Sequence, residues 1–154
     1  MQKLVVFDLD FTLWDAGGTW CDHTNPPYKR IRHYIEDATG ARIVLYPEVL
    51  VILEELSKQN IPMALASRTG APPWARELLA LFEIENYFEF QEIYPGSKIQ
   101  HFAQLQKASG LAYEQMIFFD DEMRNITEVG ALGVKAVHVE NGINKQVVYD
   151  SLSV

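Results

Sequence analysis

The stretch KLVVFDLDFTLWD, residues 3–15, decides the reading of the fold. Leu4 to Phe7 form an unbroken apolar run, which is how a strand buried on both faces of a parallel sheet reads. Two carboxylates, Asp8 and Asp10, follow at once, with a hydroxyl at Thr12. Negative charge at the end of a dry strand needs a purpose, because a buried carboxylate without partners is costly. In an open parallel sheet, ligands bind outside the carboxyl ends of the strands.

Working outward, the same kind of short apolar run recurs at Ile61–Ala66, Met116–Phe119 and Val134–Val139, and a fifth strand is expected within YFEFQEIY, residues 87–94. Helical patterns lie between them. In PEVLVILEELSKQN, Pro47 suits a first helical turn, and Val49, Ile52, Leu53 and Leu56 share one stripe. APPWARELLALF opens on Pro72 and Pro73, and SKIQHFAQLQKASG carries Ile99, Phe102 and Leu105 on a face and stops at Gly110. The alternation predicts an α/β layer fold with a parallel sheet and right-handed crossovers. Residues 15–46 break the rhythm. They are rich in turn formers (Gly17, Gly18, Pro26, Pro27, Gly40) and far exceed the roughly 2–6 residues of an ordinary strand-to-helix loop, so they read as an insertion beginning beside the aspartates.

At 154 residues, with 48% hydrophobic and 22% charged residues, the chain suits one globular domain spanning 1–154. Its net charge of −8, with Lys and Arg scattered, speaks against a nucleic-acid partner. One cysteine, Cys21, excludes an internal disulfide and suits a reducing compartment. Asp8 interrupts the N-terminal apolar run too early for a signal peptide or a membrane span, so a cytoplasmic protein is expected, with oligomeric state left open.

The residues after each strand carry the chemistry: Asp8, Asp10 and Thr12 after the first, Ser67, Arg68 and Thr69 after the second, Asp120 and Asp121 after Phe119. Lys98 opens a helix after YPGS and can approach from the side. Several carboxylates, a hydroxyl pair and one or two cations suit Mg²⁺, a hard ion that takes oxygen ligands while also holding phosphate.

DLDFT matches the DxDx[TV] motif of the haloacid dehalogenase-like hydrolases, and ASRT, GSK and FFDDEMRN resemble the second, third and fourth motifs of that superfamily in order. With LYPEV and EIYPGSK added, the chain resembles the magnesium-dependent phosphatase-1 family over roughly residues 3–139. The resemblance implies a three-layer Rossmann-like core without a large cap, and a Mg²⁺-dependent phosphomonoesterase. Asp8 would be the nucleophile that forms an aspartyl-phosphate, and Asp10 the general acid and then base, with its backbone carbonyl on the metal. Ser67 and Lys98 would hold the transferring phosphoryl group, Arg68 the substrate, and Asp121 the metal. Thr12, Asp120 and Asn125 would support them, although the roles of Asp120 and Asp121 could be exchanged. Substrates of two kinds follow from the resemblance, phosphotyrosine-like groups, free or on a phosphoprotein, and small phosphorylated sugars.

Two rival functions compete: phosphonate cleavage or phosphotransfer on the same scaffold, and a regulatory or binding module that keeps the phosphate site with little turnover. Ser67 could instead cap a helix. Cys21, Asp22, His23 and His33 fit no standard zinc spacing and read as loop residues. His101 and His138 read as surface or edge histidines. Trp14 and Trp20 could pack beneath the insertion or face substrate. The insertion itself is expected to be a short flap, a hairpin using ARIVLY, whose shortening across Thr19–Arg30 would change KM more than kcat.

Overall fold

The computed structural model describes residues 2–153. In chain order the elements are β1 (Leu4–Phe7), β2 (Trp14–Ala16), β3 (Lys29–Ile31), β4 (Tyr34–Glu36), β5 (Arg42–Leu45), α1 (Val49–Lys58), β6 (Met63–Ser67), α2 (Pro72–Leu81), β7 (Phe90–Ile93), α3 (Lys98–Ser109), β8 (Met116–Asp120), α4 (Met123–Gly130), β9 (Lys135–His138) and α5 (Lys145–Leu152). Each apolar run becomes a strand of one five-stranded parallel sheet, ordered β7-β6-β1-β8-β9. Side chains alternate across a strand, so β1 feeds both faces. Val5 and Phe7 join Leu65, Ile117 and Phe119 under α1, α2 and α5, whose Ile52, Leu78 and Val148 complete that core. Leu4 and Val6 join Ala64 and Phe118 under α3 and α4, through Phe102, Leu105 and Val129. The result is three layers, with rings stacked within them: Phe7 on Phe119 at 5.7 Å, and Phe118 edge-on to Phe102 at 4.9 Å.

The order of the strands places the site. From β1 the chain steps to β6 and β7 on one side, then returns to lay β8 and β9 on the other. Neighbouring loops therefore diverge at the carboxyl ends of β1 and β8, which is where an open α/β sheet makes its crevice. Asp8 and Asp120 stand at those two ends, and the Asp8 amide still donates to Phe119 O at 3.0 Å.

The insertion is more than the expected hairpin. It forms a four-stranded antiparallel sheet, β2-β5-β4-β3, in which β5 comes from ARIVLY and pairs with both β2 and β4. Its strands are three or four residues long, too short for an alternating pattern to stand out in the sequence. Ile35 and Ile43 point inward and join the core shared with α1 and α2, so the flap is packed onto the sheet layer. Asp37 secures the turn between β4 and β5. It accepts from the Thr39 amide and hydroxyl, the Ala41 amide and the Asn25 amide, at 2.7–3.0 Å. Burial pushes the Asp37 carboxyl up, but these donors outweigh it and hold the group at about 2. The helix after the flap starts at Val49 with Glu48 at its N-cap, so Pro47 stands ahead of the first turn rather than in it. No helix among the described residues is long and apolar enough to cross a membrane.

Candidate active site

The loop after β1 is wound around one carbonyl. Leu9 O accepts from the amides of Thr12, Leu13 and Trp14, and Phe11 takes a left-handed φ of 62° to allow it. This turn brings Asp8 and Asp10 to the same cavity, and Thr12, itself buried, donates to Asp8 Oδ2 at 3.2 Å. The cavity has a volume of about 230 Å³, and Ser67, Arg68, Lys98 and Asp121 share its lining. All the predicted site residues thus converge, with Thr12 and Asp120 just beneath the surface the cavity presents.

Lys98 is the first residue of α3, whose N-cap Ser97 accepts from the Ile99 amide at 3.1 Å. Its ammonium is 1% exposed and spends all three N–H bonds, on Asp8 Oδ1 at 3.0 Å, Asp120 Oδ2 at 3.0 Å and Ala66 O at 2.6 Å. Burial alone would pull its pKa down. Asp8 and Asp120 outweigh that and leave it raised, so the group stays charged. Asp120 is completely buried, and each of its oxygens is taken: Oδ1 by the Glu122 amide at 2.9 Å, Oδ2 by Lys98 and by Asn125 Nδ2 at 3.0 Å. Asn125 Oδ1 in turn accepts from Arg68 at 3.1 Å.

Asp121 differs from its neighbour. It is half-buried, lines the cavity, and forms no ion pair among the described residues, while its carbonyl accepts from His138 Nε2 at 2.8 Å. Asp8, Asp120 and Asp121 offer carboxylate oxygens that all lie within 4.8 Å of one another. Three carboxylates cluster beside one ammonium, and the imbalance is visible in the proton affinities of Asp8 and Asp121. Burial, then Asp120, raises the Asp8 carboxyl well above its ordinary value despite Lys98, and burial lifts Asp121 to about 6. A hard divalent cation with oxygen ligands answers that surplus, and of the three clustered carboxylates Asp8 and Asp121 are the two that line the cavity.

Asp10 is held differently. Oδ1 accepts from Trp14 Nε1 at 2.7 Å and from the Cys21 amide at 2.9 Å. Neither N–H turns to Oδ2. Burial lifts this carboxyl to about 6. Trp14 is fully buried and packs against Phe82, so its role is in the protein; Trp20, 47% exposed, lines the cavity. Cys21 is buried against Thr69 Oγ1 at 3.5 Å, and burial pushes its thiol far above the usual range. It is a packing residue whose amide does the chemical service. His33 is exposed on the turn between β3 and β4.

Ser67 ends β6, is 2% exposed and accepts from the Thr69 amide at 3.3 Å; the N-cap of α2 is Ala71. Its carbonyl is fixed by His101 Nε2 at 2.8 Å. His101 is therefore no surface histidine. It is fully buried, stacks on Tyr94 at 4.3 Å and also reaches Tyr94 O at 2.7 Å, tying the β6 end to the loop that leads into Lys98. His138 does lie on an edge strand. The sequence held one signal for these supports: Trp14 stands four residues after Asp10 in the opening stretch. Cys21 and His101 act through backbone contacts that residue type does not announce.

The acid phosphatase family model matches residues 1–154. Across 154 aligned residues the chain is 47% identical to Magnesium-dependent phosphatase 1 of Homo sapiens, covering 99% of this chain and 86% of that protein. It is 39% identical to a HAD-like hydrolase superfamily protein of Schizosaccharomyces pombe, covering 86% of this chain and 82% of that one. Among solved structures, a HAD family enzyme of Bacteroides thetaiotaomicron in complex with magnesium and inorganic phosphate superposes with a TM-score of 0.70, over 97% of this chain and 100% of that chain; at 13% identity the likeness is one of fold.

Proposed function

This chain belongs to the acid phosphatase family, among the haloacid dehalogenase-like hydrolases, and from that premise we propose that it is a Mg²⁺-dependent phosphomonoesterase working through an aspartyl-phosphate on Asp8. The observation that carries the reading is the contrast between two aspartates of one loop. Asp8 is paired with a buried ammonium, whereas Asp10 sits dry, is held through a single oxygen and titrates near 6. A nucleophile must be ionised while a general acid still carries its proton. Lys98 draws Asp8 toward the ionised form, although burial and Asp120 outweigh it in the absence of a metal, and no cation draws Asp10 the same way.

The residues fit the metal. Without it the Asp8 carboxyl is held well above its ordinary value, so ionising it calls for more positive charge than Lys98 supplies. Asp8 and Asp121, with the Asp10 carbonyl, would hold Mg²⁺, which when bound supplies charge to keep Asp8 ionised and to draw electrons from the phosphoryl oxygens. In the first step an Asp8 oxygen bonds to phosphorus as the bond to the leaving oxygen breaks, and Asp10 Oδ2 gives that oxygen its proton. In the second, water attacks the phosphorus, Asp10 takes its proton, and the acyl-phosphate P–O bond breaks to return Asp8 and release phosphate. Ser67 would hold an equatorial oxygen, and Lys98, whose three N–H groups go to Asp8, Asp120 and Ala66, would supply its fixed charge beside the phosphoryl group. The substrate is a phosphotyrosine-like or phosphosugar ester.

The test is turnover of an aryl phosphate by the purified protein with Mg²⁺. EDTA should remove it, and Asp8→Asn should abolish it without unfolding the chain. Appreciable turnover by Asp8→Asn would sink the mechanism.

A further inference from the structure

Two guanidinium groups at this site have no charge partner among the described residues. Arg68 follows Ser67 on the loop after β6, Arg124 lies in the first turn of α4, and both line the cavity that holds Asp8. The chain has 21 acidic and 13 basic residues, so carboxylates are abundant. Yet neither arginine forms an ion pair among the described residues. Arg68 spends one N–H on the neutral Asn125 Oδ1, and no hydrogen bond leaves the Arg124 side chain among the described residues. Guanidinium carries five donors and stays charged at any working pH, so most of the donor capacity of these two lining residues is unspent among the described residues.

The transferring phosphoryl group does not account for both arginines. Lys98, fully buried, and Ser67 already stand deep in the site, whereas Arg124 is exposed at the mouth. Two carboxylates share that mouth. Asp22, which accepts from the Gly70 amide at 3.1 Å with His23 alongside at 3.8 Å, and Glu122 are the charges there that an incoming anion meets besides the two arginines.

We propose that Arg68 and Arg124 form a second anion subsite at the mouth of the cavity, and that the preferred ester carries a carboxylate or a further phosphate on its leaving group. The planar fork of each guanidinium matches either oxyanion. This rests on the phosphatase reading and narrows its substrate class to phosphomonoesters with a second negative group.

The test compares 3- and 4-carboxyphenyl phosphate, and 4-phosphonophenyl phosphate, with 4-carbamoylphenyl phosphate, a neutral ester of similar size. The protein should favour a charged ester by about fivefold or more in kcat/KM, the scale that two partly exposed ion pairs supply. The carboxyl and phosphono arms say which oxyanion the subsite takes. Arg124→Gln should bring the ratio toward one by slowing the charged ester, and added salt should shrink it as well. Turnover of the neutral ester with no preference for a charged one would overturn the subsite and leave the phosphatase reading standing. So would an Arg124→Gln variant that loses activity equally on both esters. No turnover of any of these esters would bring down the phosphatase reading itself.

Discussion

Asp8 and Asp10 are separated by one residue and meet opposite surroundings. Asp8 is crowded by carboxylates and answered by Lys98; Asp10 is away from that cluster, dry, and answered by an indole and an amide. The Trp14 hydrogen bond favours the ionised form of Asp10, so it holds the carboxyl lower than burial alone would. For an alkyl phosphate, whose leaving group needs a proton, kcat/KM should fall as the pH rises through about 6, where Asp10 loses that proton. Trp14→Phe keeps the ring and removes the N–H, so the limb should move to higher pH, by up to about one unit. Parent and variant share a substrate, so the substrate's own ionisation cancels from the comparison. A limb that stays in place or moves down, in a variant that melts near the parent, would mean the indole only packs. For an aryl phosphate with a good leaving group the same limb should be shallow.

Loops rather than strands carry the chemical differences between elements. The 3-10 turn at Cys21–His23 latches the flap to the sheet layer: the Cys21 amide on Asp10, Cys21 Sγ on Thr69, and Gly70 N on Asp22. That changes what shortening Thr19–Arg30 does. From the sequence alone the segment looked like a substrate flap, and a change mainly in KM was expected. With the Cys21 amide holding Asp10, the proposed general acid, the shortened variant should lose about tenfold to a hundredfold in kcat on an alkyl phosphate, part of what general acid catalysis contributes. On an aryl phosphate with a good leaving group it should stay within about tenfold. Equal losses on both esters would show that the latch does not act through Asp10. The same contrast explains what was legible in advance. Strands buried on both faces announce themselves as apolar runs, so β1, β6 and β8 were placed to within a residue or two, as was the half-buried edge strand β9, and the chemical residues after the first three converged as expected. The flap sheet was not visible because three-residue strands such as Lys29–Ile31 are too short to establish a period. The Cys21 amide and the buried His101 were missed because any residue can offer a backbone amide, and helical spacing does not say which histidine a neighbouring loop will cover.

Across the whole molecule the negative charge is not evenly costly. The chain carries −8, and three of its carboxylates are pressed within 4.8 Å of one another at the switch point of the sheet. Asp10 and Asp121 titrate near 6 in the folded chain against 3.8 as their ordinary value. A carboxyl raised in this way favours the folded state fully below about pH 4, and that contribution is lost as the pH rises through 6. Asp10 and Asp121 should therefore lower the melting point of the metal-free protein between about pH 4 and pH 7, against the opposite pull of buried His101, whose lowered pKa costs stability on the acid side of 6.5. Mg²⁺ at pH 7.5 should raise the melting point, since an ion bound only by the folded state stabilises that state. Asp121→Asn separates the two effects because it keeps the shape of the side chain and removes its charge. In chelator at pH 7.5 the variant should melt higher than the parent, by roughly 2–4 °C for each kcal/mol of repulsion relieved. Its response to Mg²⁺ should shrink, and its phosphatase activity should fall, the trade expected when a strained charge cluster is kept for chemistry rather than for folding. Asp120→Asn should behave in the opposite way and melt lower, because Lys98 and the Glu122 amide would lose the carboxylate they share in a fully buried site. Should Asp121→Asn melt lower in chelator and Asp120→Asn higher, the two neighbours would have to exchange roles, with Asp120 the carboxylate kept for the metal.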